Sequence, residues 1–434
     1  MLKGQFPVEK FASLRTPFYY YDLPLLRRTL DKIRECIEPY PQFHVHYAVK
    51  ANFNGRILQE ISRCGFGADC VSGGEVRAAL QNGFAPESIV YAGVGKSDEE
   101  ILLALDAGIA RFNVESAAEL EVINELALSR GVVAPVSLRV NPDIGAHTHA
   151  NITTGLAENK FGINYEQLPG VIELADSLPG VEYKGLHFHI GSQILEMDDF
   201  VALCNRINVL AEQILRQRRG RLVPAASSAA AVGYSSSAVG SAGVAGSGAV
   251  AGAGVAGAAA GVAGAAASVL GDINVGGGLG VNYYHPNHLD VAEFSQYFET
   301  FARHLKLPEG TPVHFELGRS VVAPCGSLIS RVLYIKEGTT RRFAIIDASM
   351  TELIRPALYK AYHRVENISS YEPEEVYDVV GPVCESSDVF AKGVSIDKCH
   401  RGDFIAIRSA GAYGESMSSQ YNCRPLPACF FKED

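Results

Sequence analysis

The sequence predicts an α/β fold in which a (β/α)8 barrel is followed by a smaller, mostly β domain. Over residues 23–322, strand-like segments alternate with segments whose apolar residues recur at helical spacing. Eight strands separated by helices is the number that closes such a barrel. An open, doubly wound parallel sheet is the alternative that periodicity alone leaves open. After residue 322 the strand-like segments have turn signals and little helix between them, which predicts the second domain.

Each barrel strand is predicted from a short run rich in β-branched and aromatic residues. In chain order the runs are FHVHYAVK, FGADCVS, SIVYAG, ARFNVES, VSLRVN, GLHFHIGS, DINVGGG and VHFELGR. Amphipathic segments lie between them, for example LPLLRRTLDKIRECI, GEVRAALQNG, SDEEILLALDAG and SAAELEVINELALSR. Their apolar residues fall three and four positions apart, as in helices that pack one face on a sheet.

The second domain is expected to comprise residues 323–434 together with the N-terminal residues 1–22. Its strand-like runs are SLISRVLYIKEGTTRRFAIIDAS, VYDVVGPVCES and GDFIAIRSAGAYG. The N-terminal segment TPFYYYD is aromatic and prone to form a strand, so we expect it to join the same sheet.

One segment of the predicted barrel has an unusual composition. From Ala225 to Val269 every residue except Tyr234 is Ala, Gly, Ser or Val. Such a segment has little side-chain surface to bury against the entropy cost of ordering, and its glycines disfavour a helix. We therefore expect a flexible insertion at about residues 219–269, in a helix-to-strand loop opposite the catalytic end of the barrel. Self-association through a silk-like strand is the functional alternative.

Composition limits the classes of partner and compartment. The net charge is −10 and the pI is near 5.7, which argues against nucleic acid and anionic membranes as partners. The N-terminus has no apolar core of a signal peptide, and outside the Ala/Gly segment there is no apolar run long enough to span a membrane. The nine cysteines form no CxxC pair and no cluster at zinc spacing. We expect reduced thiols, a cytoplasmic protein and no metal.

Reactive side chains collect at the carboxyl ends of the predicted strands, where barrel enzymes carry their active sites. These residues are Lys50, Asp69, Arg139, His187, His189, Ser192, Glu316 and Arg319. Each has an ordinary structural explanation: Lys50 as a solvated strand end, His189 as a core histidine, and Glu316 with Arg319 as a local ion pair. Their shared position at strand ends is what favours a functional site.

The glycine-rich segment NVGGGLG follows the seventh strand, where its backbone amides can approach an anion closely. Gly276, Gly277 and Gly278 suit a phosphate, although a tight turn is an equally good explanation and the Rossmann pattern is incomplete. An amine, a phosphate-binding turn, a carboxylate for a ring nitrogen and a flat imidazole together match pyridoxal 5′-phosphate (PLP). In GPVCESSD, Cys384 beside Glu385 is a candidate proton donor, or else a small buried residue.

Ordered motifs throughout the chain resemble the bacterial diaminopimelate decarboxylases, PLP enzymes of the alanine-racemase-like fold type III class. The motifs are HYAVKAN, GADCVSGGE, THANITTGLAENKFGI, GLHFHIGSQI, INVGGGLG, ELGRS, LIRPALYKAYH, GPVCESSD and GAYGESMSSQYNCRP. The resemblance covers nearly the whole chain except residues 219–269. It departs at Leu317, where the family usually has proline, in the Ala/Gly insertion, and in the C-terminal PACFFKED.

The resemblance implies a role for each matching residue. Lys50 would be the Schiff-base lysine and Cys384 the proton donor. The implied cofactor contacts are Asp69, Arg139, His189, Ser192, Gly276, Gly277, Gly278, Glu316, Arg319 and Tyr413. The implied substrate contacts are Arg319, Arg355, Tyr359, Glu385 and Tyr413. In this family the segment that carries Cys384 reaches the other subunit's site, so the resemblance also implies a homodimer with active sites at the interface.

The implied reaction is decarboxylation of meso-2,6-diaminoheptanedioate to L-lysine, the last step of lysine biosynthesis. A related decarboxylase acting on ornithine, arginine or carboxynorspermidine would share the cofactor site, but the arginine of LIRPALY argues against a substrate recognised only as a diamine. A racemase would need a second base where this chain has Cys384. An inactive PLP-binding regulatory protein is the alternative from another class.

Overall fold

The computed structural model describes residues 6–144, 160–222, 269–285 and 291–433. Residues 145–159, which include all but the last residue of the THANITTGLAENK motif, and residues 223–268, which make up most of the predicted insertion, lie outside the described residues. The chain begins with a short helix, α1 (Val8–Phe11), and an aromatic strand, β1 (Phe18–Asp22).

A closed ring of parallel strands forms the first part of the molecule. Its strands are β2 (Phe43–Ala48), β3 (Gly67–Cys70), β4 (Ile89–Tyr91), β5 (Arg111–Val114), β6 (Ala134–Asn141), β8 (Val181–His187), β9 (Asp272–Asn274) and β10 (Val313–Leu317), with the two-residue β7 (Ile163–Asn164) beside β6. The order is β5-β4-β3-β2-β10-β9-β8-β6, and pairing of β5 with β6 closes the ring. The predicted barrel is confirmed, and its eight strands are those expected from the sequence.

Helices follow the barrel strands as the periodicity predicts. The helices of the barrel part are α2 (Leu23–Ile37), which precedes the first barrel strand, α3 (Gly55–Arg63), α4 (Gly73–Gln81), α5 (Asp98–Ala107), α6 (Ala117–Arg130), α7 (Leu168–Ser177), α8 (Met197–Leu222), α9 (Val291–His304) and α10 (Arg319–Val322). A short helix, α11 (Arg355–Tyr359), belongs to the second part of the molecule. α8 continues past the expected start of the insertion at residue 219. Within the described ranges, no helix has the length and apolar character needed to cross a membrane.

Alternation along each strand separates an apolar layer from a polar barrel interior. In β10, Phe315 packs against the rings of Phe298 and Phe301 on α9, with centroids 5.0 and 5.2 Å away. The next residue, Glu316, points to the other face and reaches His187 on β8. Because successive strand residues face opposite sides, the same pattern that buries apolar groups under the helices lines the barrel with titratable groups.

The second part of the molecule is mostly β-sheet, as predicted. Its strands are β11 (Gly326–Glu337), β12 (Arg342–Ile346), β13 (Val365–Asn367), β14 (Glu374–Val380), β15 (Val389–Asp397), β16 (Phe404–Ile407) and β17 (Ala428–Lys432). They follow the order β13-β16-β11-β12-β14-β15, and β1 pairs antiparallel with β11. The domain limits expected from the sequence, at residues 22/23 and 322/323, stay predictions.

The C-terminal segment, which the sequence left unexplained, extends this sheet. β17 lies parallel to β1, so the two ends of the chain are neighbours. Phe431 stacks on Tyr21 with ring centroids 5.6 Å apart, and the Lys432 Nζ is 3.1 Å from the Asp22 carboxylate. Aromatic cross-strand contacts and a charge pair thus hold residues 428–432 of this segment in the sheet.

Candidate active site

A cavity of about 780 Å³ opens at the carboxyl ends of the barrel strands. It lies where the second domain approaches the barrel. Its walls include Lys50, Asp69, Phe161, His189, Ser192, Gly278, Tyr283, Glu316, Arg319, Arg355, Tyr359 and Tyr413. Ten of these residues were predicted site residues, and the fold brings them from seven separate segments of the sequence into one cavity.

Lys50 lies in a single 3-10 turn, Val49–Ala51, directly after β2. Burial alone lowers the pKa of its amine, but the interactions with Asp69 and, to a smaller degree, Tyr413 and Glu316 outweigh burial, so the pKa is raised. The pKa of Asp69 is also raised, first by burial and then by Glu316. The amine and this carboxyl group therefore influence each other electrostatically inside the cavity.

Glu316 is fixed as a buried carboxylate by three neutral or cationic partners. Its Oε1 accepts hydrogen bonds from the amide groups of Asn274 at 2.7 Å and Asn113 at 3.4 Å. Its Oε2 lies 3.1 Å from His187 Nε2. Burial alone raises the pKa of Glu316, but His187, with smaller contributions from His189 and Lys50, lowers it. The group therefore remains an anion at neutral pH.

Gly276 and Gly278 adopt positive φ angles of +71° and +108°, which non-glycine residues avoid. A Cβ at Gly276 would overlap the Phe188 carbonyl oxygen, and one at Gly277 would overlap the carbonyl oxygen of Glu316. The turn therefore requires glycine at each position. A side chain holds the backbone of the turn in place, because the Gly276 amide donates to Asn274 Oδ1 at 2.9 Å. Asn274 thereby links the glycine turn to Glu316.

His189 extends into the cavity next to this turn. Burial, followed by the charges of Lys50 and Arg139, holds its pKa well below the usual value, so the ring is neutral. The Gly277 amide lies 3.4 Å from His189 Nδ1. A neutral, planar imidazole on the cavity wall is suited to stacking on an aromatic ligand.

Arg139 lies beside the cavity, where a carboxylate and an aromatic ring hold its side chain. Its Nη1 donates to Glu115 Oε1 at 2.6 Å, and its guanidinium lies 4.8 Å from the centroid of Phe161. Glu115 Oε2 accepts a further bond from the Gly162 amide at 2.8 Å. Arg139 is thus a fixed positive charge at the edge of the site.

Two further arginines face the cavity from the two domains. Arg319 donates from Nη1 to the Tyr283 hydroxyl at 2.8 Å and from Nη2 to Ser192 Oγ at 3.0 Å. Its guanidinium also lies 4.8 Å from the ring centroid of Tyr413. Arg355, in α11, places its guanidinium 4.9 Å from the ring centroid of Tyr283. The cavity therefore has an anionic side at Glu316 and a cationic side at the two arginines.

Comparison with known proteins places the chain in a family. The family model described as "Pyridoxal-dependent decarboxylase, pyridoxal binding domain" matches residues 26–218. A diaminopimelate decarboxylase of Bacteroides thetaiotaomicron is 52% identical over 433 residues, and the match covers 100% of both chains. The chain belongs to the diaminopimelate decarboxylase family. A second member, from Helicobacter pylori, is 36% identical over 96% of this chain and 90% of its own.

Solved structures of the family agree with the fold. A Helicobacter pylori diaminopimelate decarboxylase complexed with L-lysine superposes with a TM-score of 0.81 at 34% identity, covering 98% of this chain and 94% of that one. The corresponding enzyme from M. jannaschii, also with L-lysine, gives a TM-score of 0.79 at 30% identity, covering 98% and 89%. The prediction of a PLP-dependent decarboxylase with a barrel is thereby confirmed.

The site geometry fits the cofactor of this family. Asp69 Oδ1 is buried and accepts no hydrogen bond from the described residues, so a donor on a ligand would satisfy it. At Gly278 the glycine turn presents backbone without a Cβ to the cavity, which suits a phosphate, and the carboxylate of Glu316 suits a ring nitrogen that must stay protonated. The lysine, the carboxylate, the imidazole and the glycine turn thus meet at one cavity, and their chemistry fits PLP.

Five predicted residues are not in the wall of this cavity: Arg139, Gly276 and Gly277, which lie next to it, and Cys384 and Glu385, which do not. Cys384 and Glu385 are exposed in the loop after β14. The Cys384 amide lies 3.3 Å from Asn422 Oδ1, and the Tyr421 hydroxyl donates to Glu385 Oε1 at 2.8 Å. Within a single chain, this loop therefore packs against the segment around residue 422 rather than against Lys50.

Sequence reasoning missed several residues that hold the site together. They are Glu115, Asn274, Tyr283 and His363, and His187 was noted at a strand end without a role. Glu115 follows β5 and Asn274 ends β9, so the same strand-end argument that selected Lys50 would have found both. Tyr283 and His363 lie in loops and carry no such signal. Only their contacts in the folded chain identify them.

Proposed function

We propose that this chain decarboxylates meso-2,6-diaminoheptanedioate to L-lysine and CO2. The observation that carries the proposal is a single cavity lined by Lys50 and Glu316, which are expected to contact the cofactor, and also by two arginines, Arg319 and Arg355. A substrate that carries only amines beyond the reacting carbon has no use for these arginines, whereas a second carboxylate does. The family's lysine-bound relatives support the same substrate class.

PLP, when bound, supplies a protonated ring that accepts the electron pair released as CO2 departs. Glu316 serves this chemistry because it is an anion that keeps the ring nitrogen protonated. Lys50 must lose a proton before its nitrogen can attack a carbonyl carbon, and Asp69 is the neighbouring group that can take it. Arg139, Ser192 and the glycine turn would hold the cofactor next to Lys50.

Arg319, Arg355 and Tyr359 hold the carboxylate that the product keeps, and Tyr413 closes the cavity between Arg319 and Lys50. Buried guanidinium groups gain most from an anion, because an unpaired buried charge is costly. Binding one carboxylate firmly leaves the other one as the group that is lost. The orientation of the substrate therefore decides which of its two ends reacts.

The active unit is a homodimer in this proposal. Cys384 and Glu385 are exposed on their own chain and lie away from its cavity, which supports a role for them in the site of a second copy. There Cys384 would protonate the α-carbon and Glu385 would contact the distal amine. We place the enzyme in the cytoplasm, because none of its nine cysteines forms a disulfide.

The proposed reaction is tested by adding PLP and meso-diaminopimelate to the purified protein and measuring CO2 and L-lysine. Lys50→Ala should lose the visible absorbance of the bound cofactor and reduce kcat by at least about a thousand-fold, because no other amine replaces it. Ornithine and arginine serve as competing substrates in the same assay. Formation of no lysine by a protein that shows bound cofactor would overturn the proposal.

The shared site is tested by mixing two inactive variants, Lys50→Ala and Cys384→Ala. If each site uses Lys50 from one chain and Cys384 from the other, mixed dimers contain one intact site. Random exchange of subunits then restores about a quarter of the wild-type activity. Activity that stays at the level of the separate variants, although mass spectrometry shows mixed dimers, would assign both residues to the same chain.

A further inference from the structure

The two cavity arginines have no carboxylate to neutralise them in the described part of the chain. Arg319 and Arg355 expose only 7% and 4% of their surface, yet no Asp or Glu of the described residues lies within ion-pair distance of either guanidinium. Their charges also repel: Arg319 contributes to lowering the pKa of Arg355, after the larger effect of burial. Two like charges can remain buried side by side only if other groups hold them in place.

His363 is the group that holds Arg355. Arg355 Nη1 lies 2.8 Å from His363 Nε2, and His363 Nδ1 lies 2.9 Å from the backbone oxygen of Arg408. Arginine can only donate, so Nε2 must be the acceptor and the ring proton must lie on Nδ1, which donates to Arg408. Burial and the Arg355 charge lower the pKa of His363 to about 3, so this tautomer is neutral at any physiological pH.

Tyr283 separates the two arginines. Its hydroxyl accepts from Arg319 Nη1, while its ring lies under the Arg355 guanidinium, 4.9 Å from centroid to carbon. The same ring makes an edge contact with His363, with centroids 5.0 Å apart at 73°. One side chain therefore touches both arginines and the histidine that orients the second. Its π face and its oxygen each offer partial negative charge to a cation.

These contacts tie the arginine pair to rigid parts of both domains. His363 lies two residues before β13, and its acceptor Arg408 immediately follows β16, which pairs with β13. Tyr283 and Arg319 come from the barrel, after β9 and β10. The separation of the guanidiniums is thus fixed by the way the second domain sits on the barrel. A preformed pair of cations binds a carboxylate without the entropy cost of ordering two long side chains.

We propose that His363 and Tyr283 are positioning residues for substrate selection, which hold Arg319 and Arg355 apart at a spacing that accepts the carboxylate kept in the product. The inference rests on the proposed function, and it adds two residues that need not touch the cofactor. Selection against diamines without this carboxylate then depends on the contacts that His363 and Tyr283 make with the two arginines, and not on the arginines alone.

The test compares two ligands that differ only in the carboxylate, L-lysine and 1,5-diaminopentane. Their dissociation constants are measured by titrating the cofactor-loaded protein and following its visible absorbance. In His363→Phe, which removes the acceptor for Arg355, the Kd for L-lysine should rise about ten-fold and the KM for diaminopimelate should rise with it. The Kd for the diamine, the cofactor affinity and kcat should each change by less than about two-fold.

A second variant and a control guard against a folding defect. Tyr283→Phe keeps the ring and removes only the acceptor for Arg319, so the Kd for L-lysine should rise about three- to five-fold with the diamine again unaffected. His400→Phe, at an exposed histidine that pairs with Glu372, should change neither constant. His363→Gln, which restores an acceptor oxygen, should recover part of the loss.

Equal weakening of both ligands, or no weakening of L-lysine in the folded Tyr283→Phe variant, would overturn the inference. The proposed function fails differently, through absence of lysine formation by the wild-type protein. Because the binding constants are measured without turnover, the two failures are distinguishable.

Discussion

The two ends of the barrel each open into a cavity of similar size, about 780 Å³ at the carboxyl ends of the strands and about 810 Å³ at the amino ends. At the amino end the charges are matched. Asp272 accepts from Arg111 at 2.6 Å and lies 3.3 Å from His314, whose other nitrogen is 2.9 Å from His46. Burial raises the pKa of Asp272, but His314 and Arg111 outweigh it and keep the group ionised.

At the carboxyl end, charged groups lack partners within the described residues and can bind a ligand. Asp69 has a buried oxygen without a hydrogen-bond donor, and Arg319 and Arg355 have no carboxylate among the described residues. Cavity size therefore does not distinguish the active site from an ordinary surface cleft. The distinction is whether a buried charge has a counter-ion among the described residues, as Arg111 has in Asp272, or has none, as for Arg319 and Arg355. A buried charge without a counter-ion destabilises the fold, so its presence points to a function.

Among the changes that compare the two ends of the barrel, the largest expected effect comes from removing the charge of Glu316. In Glu316→Gln the side chain keeps its shape and a hydrogen-bonding oxygen, but it can no longer hold a cofactor ring in its protonated form. We expect kcat to fall by about 100- to 1000-fold, measured as lysine formation at saturating cofactor. A kcat within about ten-fold of wild type would mean that the charge of this buried group does not serve the reaction.

The matched change at the other end is Asp272→Asn, which should affect stability instead. Arg111 and His314 would lose the anion that they share, so the free energy of unfolding should fall by about 2–3 kcal/mol in urea denaturation. We expect kcat to stay within about two-fold, since no group at this end faces Lys50. A large loss of turnover in a stably folded Asp272→Asn protein would contradict the division between the two ends.

The smallest effect concerns acid stability. Burial, followed by the charge of His314, lowers the pKa of His46 from 6.5 to about 3. Between these values the unfolded chain binds a proton that the folded chain does not, so stability is lost as the pH falls from about 6.5 towards 3. The slope for one such group reaches about 1.4 kcal/mol per pH unit.

His46→Gln should flatten the pH dependence of the unfolding free energy by about that amount between pH 6 and 4, whereas the exposed His400→Gln should leave it unchanged. Unfolding curves recorded at several pH values provide the measurement. An unchanged slope in His46→Gln would place the acid sensitivity in other groups.

The sequence by itself was enough to predict the eight barrel strands and the order in which they follow one another. Strand periodicity and helix amphipathicity are local signals, so they can be recognised without knowing which distant residues are in contact. The same reasoning placed Lys50, Asp69, His189 and Glu316 together, because the carboxyl ends of parallel strands meet at one end of a barrel. The glycines at 276–278 could also be recognised from the sequence as a tight turn that suits a phosphate, since residues without a Cβ allow close approach of the backbone.

Only the tertiary structure decided how these groups are held. Glu316 meets His187 across 129 positions of sequence and Asn113 across 203, and no local pattern reports such a pairing. The spacing of Arg319 and Arg355 depends on Tyr283 and His363, which lie in loops of different domains. The physical reason is that strand and helix signals arise between near neighbours, whereas the orientation and pKa of a buried side chain depend on whichever groups barrel closure and domain packing bring against it.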